Sequence, residues 1–144
     1  MGNIGGRVIN KVNYENVQEL HKYSRESYLL INTLPASSQK CLIVGTIECA
    51  SEEESINTFL SQNSNIMIII YGKNCEDESI YKKYEQLLSL GFNNVYIYVG
   101  GLFEWLCLQD IYGQDNFKTT SKELDILKFK SSKNNVFLNN SIRY

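Results

Sequence analysis

Apolar residues in this chain occur as short continuous blocks and as spaced stripes, and the two kinds alternate along the sequence. The blocks YLLINTL (28–34), NIMIIIY (65–71) and NNVYIYV (93–99) have the length of strands. Their apolar character runs on without alternating, which predicts strands covered on both faces, as in a parallel sheet. A shorter apolar segment closes SSQKCLIVGTI (37–47). The stripes have helical spacing. In NYENVQELHKY, Asn13 stands where an N-cap belongs, with Tyr14, Val17 and Leu20 behind it on one face. In SEEESINTFLSQ, Ser51 and Glu54 have capping-box spacing ahead of Ile56, Phe59 and Leu60. Residues 78–92 place Ile80, Tyr84, Leu87 and Leu88 on one stripe and stop at Gly91. GGLFEWLCLQ (100–109) becomes helical again after two glycines, and Thr120 and Glu123 have box spacing at the head of a further short helix.

Strands alternating with helices predict an α/β fold with a mostly parallel central sheet flanked by helices on both faces. The 144 residues suit one domain, with 43% hydrophobic and 12% aromatic residues to fill its core. We expect residues 1–12 to be a flexible leader, 13–130 the folded domain and 131–144 a C-terminal tail. Gly2 after Met1 meets the first requirement for N-myristoylation, but Gly6 stands where that pattern asks for Ser or Thr.

Fourteen Lys and Arg against sixteen Asp and Glu give a net charge of −2, so nothing advertises a nucleic-acid surface. No apolar run is long enough to span a membrane. Cys41, Cys49, Cys75 and Cys107 form no CxxC pair and do not cluster with the lone histidine, His21. That spacing predicts no metal site, no cofactor and reduced thiols, which suits a cytoplasmic protein. Cys41 and Cys107 lie in apolar segments as small core residues, Cys49 lies near a helix start, and His21 is expected on a solvated helix face.

The chemistry concentrates in one loop. In parallel α/β folds, ligands bind beyond the carboxyl ends of the strands, where loop amides and a helix N-terminus attract anions. Residues Gly72, Lys73, Asn74, Cys75, Glu76, Asp77, Glu78 and Ser79 form such a strand–loop–helix junction. Cys75 is the candidate nucleophile. Glu76, Asp77 and Glu78 oppose both a thiolate and an anionic substrate, and Lys73 alone cannot balance them. The same carboxylates suit the first turn of a helix.

Five features in order give the chain a family resemblance: a strand ending LLINTLP, the turn GTI, the junction IIIYGKNCEDES, the run LLSLGFNNVYIYVGG and the following GGLFEW. Together they resemble the rhodanese-like domain of the sulfurtransferase superfamily, and more closely its divergent members in protists and large DNA viruses. Gly100, Gly101 and Trp105 match the family's Gly-Gly-x-x-x-Trp, while Asn32 and Gly45 fall in its Asp-x-Arg and Gly-His-Ile motifs. The departures fall on the chemistry. Gly72 stands where the family's nucleophilic cysteine enters the loop, Asn32-Thr33-Leu34 replaces Asp-x-Arg, and Gly45-Thr46-Ile47 replaces Gly-His-Ile. The seven-residue loop matches the length found in rhodanese-related cysteine phosphatases, but without their first cysteine or last arginine. The resemblance therefore implies a rhodanese-like domain lacking standard sulfur transfer and acting as a protein-binding or regulatory module. The alternative is a divergent sulfurtransferase or cysteine phosphatase using Cys75 on a small sulfur-donor or phosphate anion.

Overall fold

The computed structural model describes residues 3–4 and 7–136; Gly2 and the tail beyond residue 136 lie outside the described residues. A parallel sheet organises the chain. Its strands are β3 (Lys11–Val12), β4 (Tyr28–Asn32), β5 (Thr46–Ile47), β6 (Met67–Tyr71) and β7 (Val95–Tyr98), in spatial order β3-β7-β6-β4-β5. All four pairings are parallel. The all-apolar block Ile68–Ile70 thus forms the middle strand, where both faces and both edges are covered. Ahead of the sheet, β1 (Asn3–Ile4) and β2 (Arg7–Val8) pair antiparallel.

Successive residues of each strand face opposite cores, because side chains alternate across a pleat. Tyr28, Leu30, Ile69, Tyr71 and Tyr98 join the core beneath α1 (Tyr14–Leu20) and α4 (Gly101–Tyr112), with Val17, Leu102, Trp105 and Leu106. Leu29, Ile31, Ile68, Ile70, Val95 and Ile97 join the core beneath α2 (Cys49–Gln62) and α3 (Ser79–Leu90), with Ile56, Ile80, Tyr84 and Leu87. The fold is therefore α/β with helices on both faces of a parallel sheet.

Most helix boundaries follow the sequence pattern. Asn13 caps α1 in a reciprocal box with Asn16: each side-chain oxygen accepts the other residue's backbone N–H. Gly91 ends α3 at φ +121°. Three local expectations are corrected. Ser51 lies inside α2, which begins at Cys49 after Glu48 and has no side-chain cap; β5 ends at Ile47, so the chain turns into the helix before it reaches the serine. The Thr120–Glu123 box builds no helix there. Thr120 Oγ1 instead accepts the Leu42 amide and donates to the Lys40 carbonyl, and only Ile126–Phe129 coils, as a 3-10 turn. The sheet also takes its first strand from the stretch expected to be a leader. Ile97 N–H donates to Asn10 O, Asn10 N–H to Tyr84 Oη, and Ile9 is buried. A two-residue edge strand has no periodicity to read.

Candidate functional site

The loop leaves the sheet at the carboxyl end of its middle strand. Tyr71, the last residue of β6, is fully buried, and its hydroxyl accepts the Ile43 amide at 3.1 Å and shares a 2.8 Å hydrogen bond with Thr46 Oγ1. Burial pushes its phenol well above the usual tyrosine range. Thr46, which the resemblance places at the histidine position of a Gly-His-Ile turn, thus ties β5 to β6. Gly45 before it has φ +96°, and a Cβ there would stand 2.7 Å from Tyr28 Oη. The glycine lets the turn pass close over that ring.

Asn32, at the end of β4, takes part in another polar link. Its Oδ1 accepts the Leu34 amide at 3.0 Å and Gln39 Nε2 at 2.8 Å. Its Nδ2 donates to Gln39 Oε1 at 3.1 Å and to the Ile47 carbonyl at 3.4 Å. Both ends of the amide are used, so Asn32 and Gln39 form a neutral pair where the resemblance implies an acid and a base. Nothing in the sequence spacing pointed to Gln39.

From Gly72 to Glu78 the loop is folded around its own carboxylate. Asp77 Oδ2 accepts the Lys73 amide at 2.8 Å, while Oδ1 accepts the Ser79 amide at 3.0 Å and the Ser79 hydroxyl. Ser79 Oγ lies 2.7 Å from Thr33 Oγ1. Asn74 Oδ1 accepts the Glu76 amide at 2.9 Å, and the Asp77 amide donates to Asn74 O at 3.1 Å. The amides of Lys73, Glu76, Asp77 and Ser79 are thus taken by the chain itself. A Cβ on Gly72 would lie 2.5 Å from Asp77 Oδ2 and 3.0 Å from Ile80 Cγ2, so a side chain at Gly72 and Asp77 in its present place exclude each other. Asp77 caps α3 from two residues upstream, whereas Glu78 at the N-cap makes no side-chain cap and Glu76 lies before the helix. The expectation that the three carboxylates lie in the first turn is corrected: α3 begins at Ser79, after all of them, and only Asp77 reaches a helix amide, that of Ser79.

The head of α4 holds the loop from the other side. Leu102 and Phe103 donate their amides to Gly72 O and Lys73 O, each at 2.9 Å. Gly101, at φ +69°, brings these amides in: a Cβ there would stand 2.7 Å from Gly72 O and 3.0 Å from Asn74 N. Helix amides that elsewhere receive anions here receive the loop's carbonyls. Trp105 anchors the same helix, fully buried, with Nε1 donating to Lys118 O at 3.1 Å. Gly100 precedes the helix as its N-cap residue. Asn74, buried, also donates Nδ2 to Phe129 O at 2.9 Å, which ties the loop to the C-terminal segment.

Cys75 is exposed at the loop's tip, and all four cysteines are free. The recess around the loop, about 540 Å³, is lined by Thr33, Lys73, Glu76, Asp77, Lys130 and Ser131 among others. Cys49 is exposed at the start of α2, and Cys41 is buried with its thiol pushed upward by burial. Cys107 is half-buried, and burial and then Asp110 and Glu104 raise its thiol. His21 is not simply solvated: its Nε2 lies 2.7 Å from Val44 O, and its ring meets Trp105 edge-on. Among the described residues no cluster of His, Cys, Asp and Glu could hold a metal ion, and no helix is long and apolar enough to cross a membrane.

No family model matches the sequence, and no curated protein matches it. Solved structures do match. The Alr3790 protein from Anabaena sp. is 18% identical at a TM-score of 0.56, with 91% of each chain covered. The rhodanese-like domain of that protein, solved in solution, is 19% identical at a TM-score of 0.52, covering 72% of this chain and 75% of its own. The BH2092 protein from Bacillus halodurans is 15% identical at a TM-score of 0.58, covering 84% of this chain and 90% of its own. At these identities the likeness concerns architecture: the chain has a rhodanese-like α/β fold, and its chemistry rests on its own loop.

Proposed function

We propose that this chain is a rhodanese-fold module without standard sulfur transfer, acting as a protein-binding or regulatory domain through the surface around its loop. The observation that carries the reading is the position of Asp77. Its carboxylate accepts the Lys73 and Ser79 amides and lies where a side chain on Gly72 would have to stand. A loop that supplies its own anion has no ready cradle for thiosulfate, a persulfide or a phosphate. A cysteine at the family's nucleophile position would also collide with that anion. Catalysis through Cys75 would have to do without the amides at 73, 76 and 79, which Asp77 and Asn74 engage. Exposed Lys73, Glu76 and Glu78 stand beside Cys75 as a fixed polar surface suited to a protein partner.

The reading is tested by incubating the protein with thiosulfate, assaying transfer to cyanide, and weighing the loop peptide by mass spectrometry. Expected are a rate equal to that of Cys75→Ser and no added sulfur on Cys75. A rate lost on Cys75→Ser would overturn the reading and establish the sulfurtransferase alternative. For binding, a photoreactive residue at position 75 should cross-link one defined protein in native extract, and Glu76→Lys with Glu78→Lys should abolish the cross-link.

A further inference from the structure

A recess of about 380 Å³ opens beside Cys41, across the Ile126–Phe129 turn from the loop. Lys40, Lys122 and Lys128 line it with the hydroxyl residues Ser37, Ser38 and Ser121, and Glu123 is the one carboxylate in the lining. Asp125 also acts on Lys128 from outside it. Cations thus outnumber carboxylates here, in a chain whose net charge is −2. The lysines come from two chain segments, 37–42 and 119–129, that are bonded to each other independently of any ligand. Thr120 N–H donates to Leu42 O at 2.8 Å, Ser121 Oγ to Lys40 O at 3.0 Å, and Cys41 Sγ to Ser121 O at 3.3 Å. Lys128 is held by Glu123 at 2.6 Å. Lys40 and Lys122 are exposed residues of the lining, one from each segment.

A concave site lined by three lysines and by the hydroxyl residues Ser37 and Ser38 suits a compact anion with several acceptor oxygens. We propose that this recess binds a phosphate-class oxyanion, either inorganic phosphate or a phosphomonoester, between Lys40, Lys122 and Lys128. Glu123 competes with that anion for Lys128. The site is separate from the loop and independent of whether the loop is catalytic.

The test is an NMR titration of the full chain with inorganic phosphate, against chloride at equal ionic strength. Phosphate should shift the amides of residues 37–41 and 121–128, and chloride should not. Lys40→Ala and Lys122→Ala, both exposed, should each weaken binding about threefold. Glu123→Gln should tighten it by a similar factor, an increase that a merely structural role would not produce, while the exposed and remote Glu26→Gln should leave it unchanged. Sedimentation with phosphatidic-acid vesicles separates the sources. Binding to free phosphate without sedimentation assigns a soluble ligand, and sedimentation that Lys40→Ala and Lys122→Ala reduce assigns a lipid phosphomonoester; either supports the proposal. Equal shifts with chloride, or no response to phosphate and vesicles alike, would overturn it.

Discussion

Asp77 Oδ2 accepts the Lys73 amide at 2.8 Å, and the same oxygen lies 2.5 Å from the point where a Cβ on Gly72 would stand. The absent side chain and the present carboxylate are two halves of one arrangement. Gly72→Ala should therefore cost about 1–3 kcal/mol, since the carboxylate must move or the backbone must shift. In an Asp77→Ala background the same change should cost about 1 kcal/mol less, leaving the contact with Ile80. Urea unfolding of the four variants measures the coupling, and strictly additive losses would show that the two positions are independent.

Gly101 offers a harder test of the same loop, because its neighbours are backbone. A Cβ there meets Gly72 O and Asn74 N, and φ is +69°, which L side chains rarely adopt. Gly101→Ala should destabilise the fold by about 3 kcal/mol, from strain and overpacking together. Relaxation by moving the loop should also speed hydrogen exchange at the Leu102 and Phe103 amides, which now donate to the loop's carbonyls. Unchanged exchange would show that α4 does not hold the loop.

How far the sequence carried is itself physical. The apolar blocks at 28–34, 65–71 and 93–99 became strands, and Asn13 and Gly91 bound their helices, because burial on both faces and end-capping are local properties that spacing records. The loop's limits were legible for the same reason, since a strand must end before the next stripe begins. What the loop does with its polar groups was not. That Asp77 points back to Lys73 depends on the turn made at Asn74, and the pairing of Asn32 with Gln39 depends on the 3-10 turn at Ala36–Ser38 between them. The Thr120 box failed because its hydroxyl found carbonyl and amide partners nearly 80 residues away, and no local pattern encodes a long-range partner.

Asn32 is 2% exposed and uses both ends of its amide. Asn32→Asp, which would restore the acid implied by the resemblance, keeps the oxygen facing Leu34 and Gln39 Nε2 but turns a second oxygen towards Ile47 O and Gln39 Oε1. We expect a loss of about 2–3 kcal/mol at neutral pH, from a buried charge beside unpaired acceptors. Burial raises the new carboxyl's folded-state pKa, so the native state holds its proton longer than the unfolded chain. The loss should accordingly be smallest below about pH 4 and grow as pH rises above it. Urea midpoints at two pH values check the sign, and a loss independent of pH would remove ionisation as its cause.

Tyr71 and Tyr98 set the alkaline limit of the fold. Tyr98 Oη donates to Glu104 Oε1 at 2.6 Å, and burial, then that bond and the carboxylate's charge, hold its phenol far above the usual tyrosine range; burial does the same for Tyr71. In the unfolded chain both ionise near pH 10, as free tyrosines do. Above that pH the unfolded state binds fewer protons than the native state, so unfolding becomes easier as pH rises. Stability from these two phenols is fully present below about pH 10 and declines as pH climbs towards their folded-state values. Tyr98→Phe should flatten the decline with little effect at neutral pH beyond the lost hydrogen bond, about 1 kcal/mol. Tyr71→Phe should flatten it too, at a larger neutral-pH cost because the buried Ile43 amide loses its acceptor. Denaturation midpoints between neutral pH and pH 11, with phenolate absorbance followed in parallel, check both. Native-state ionisation of either phenol near pH 10 would show that the strand ends are open to water.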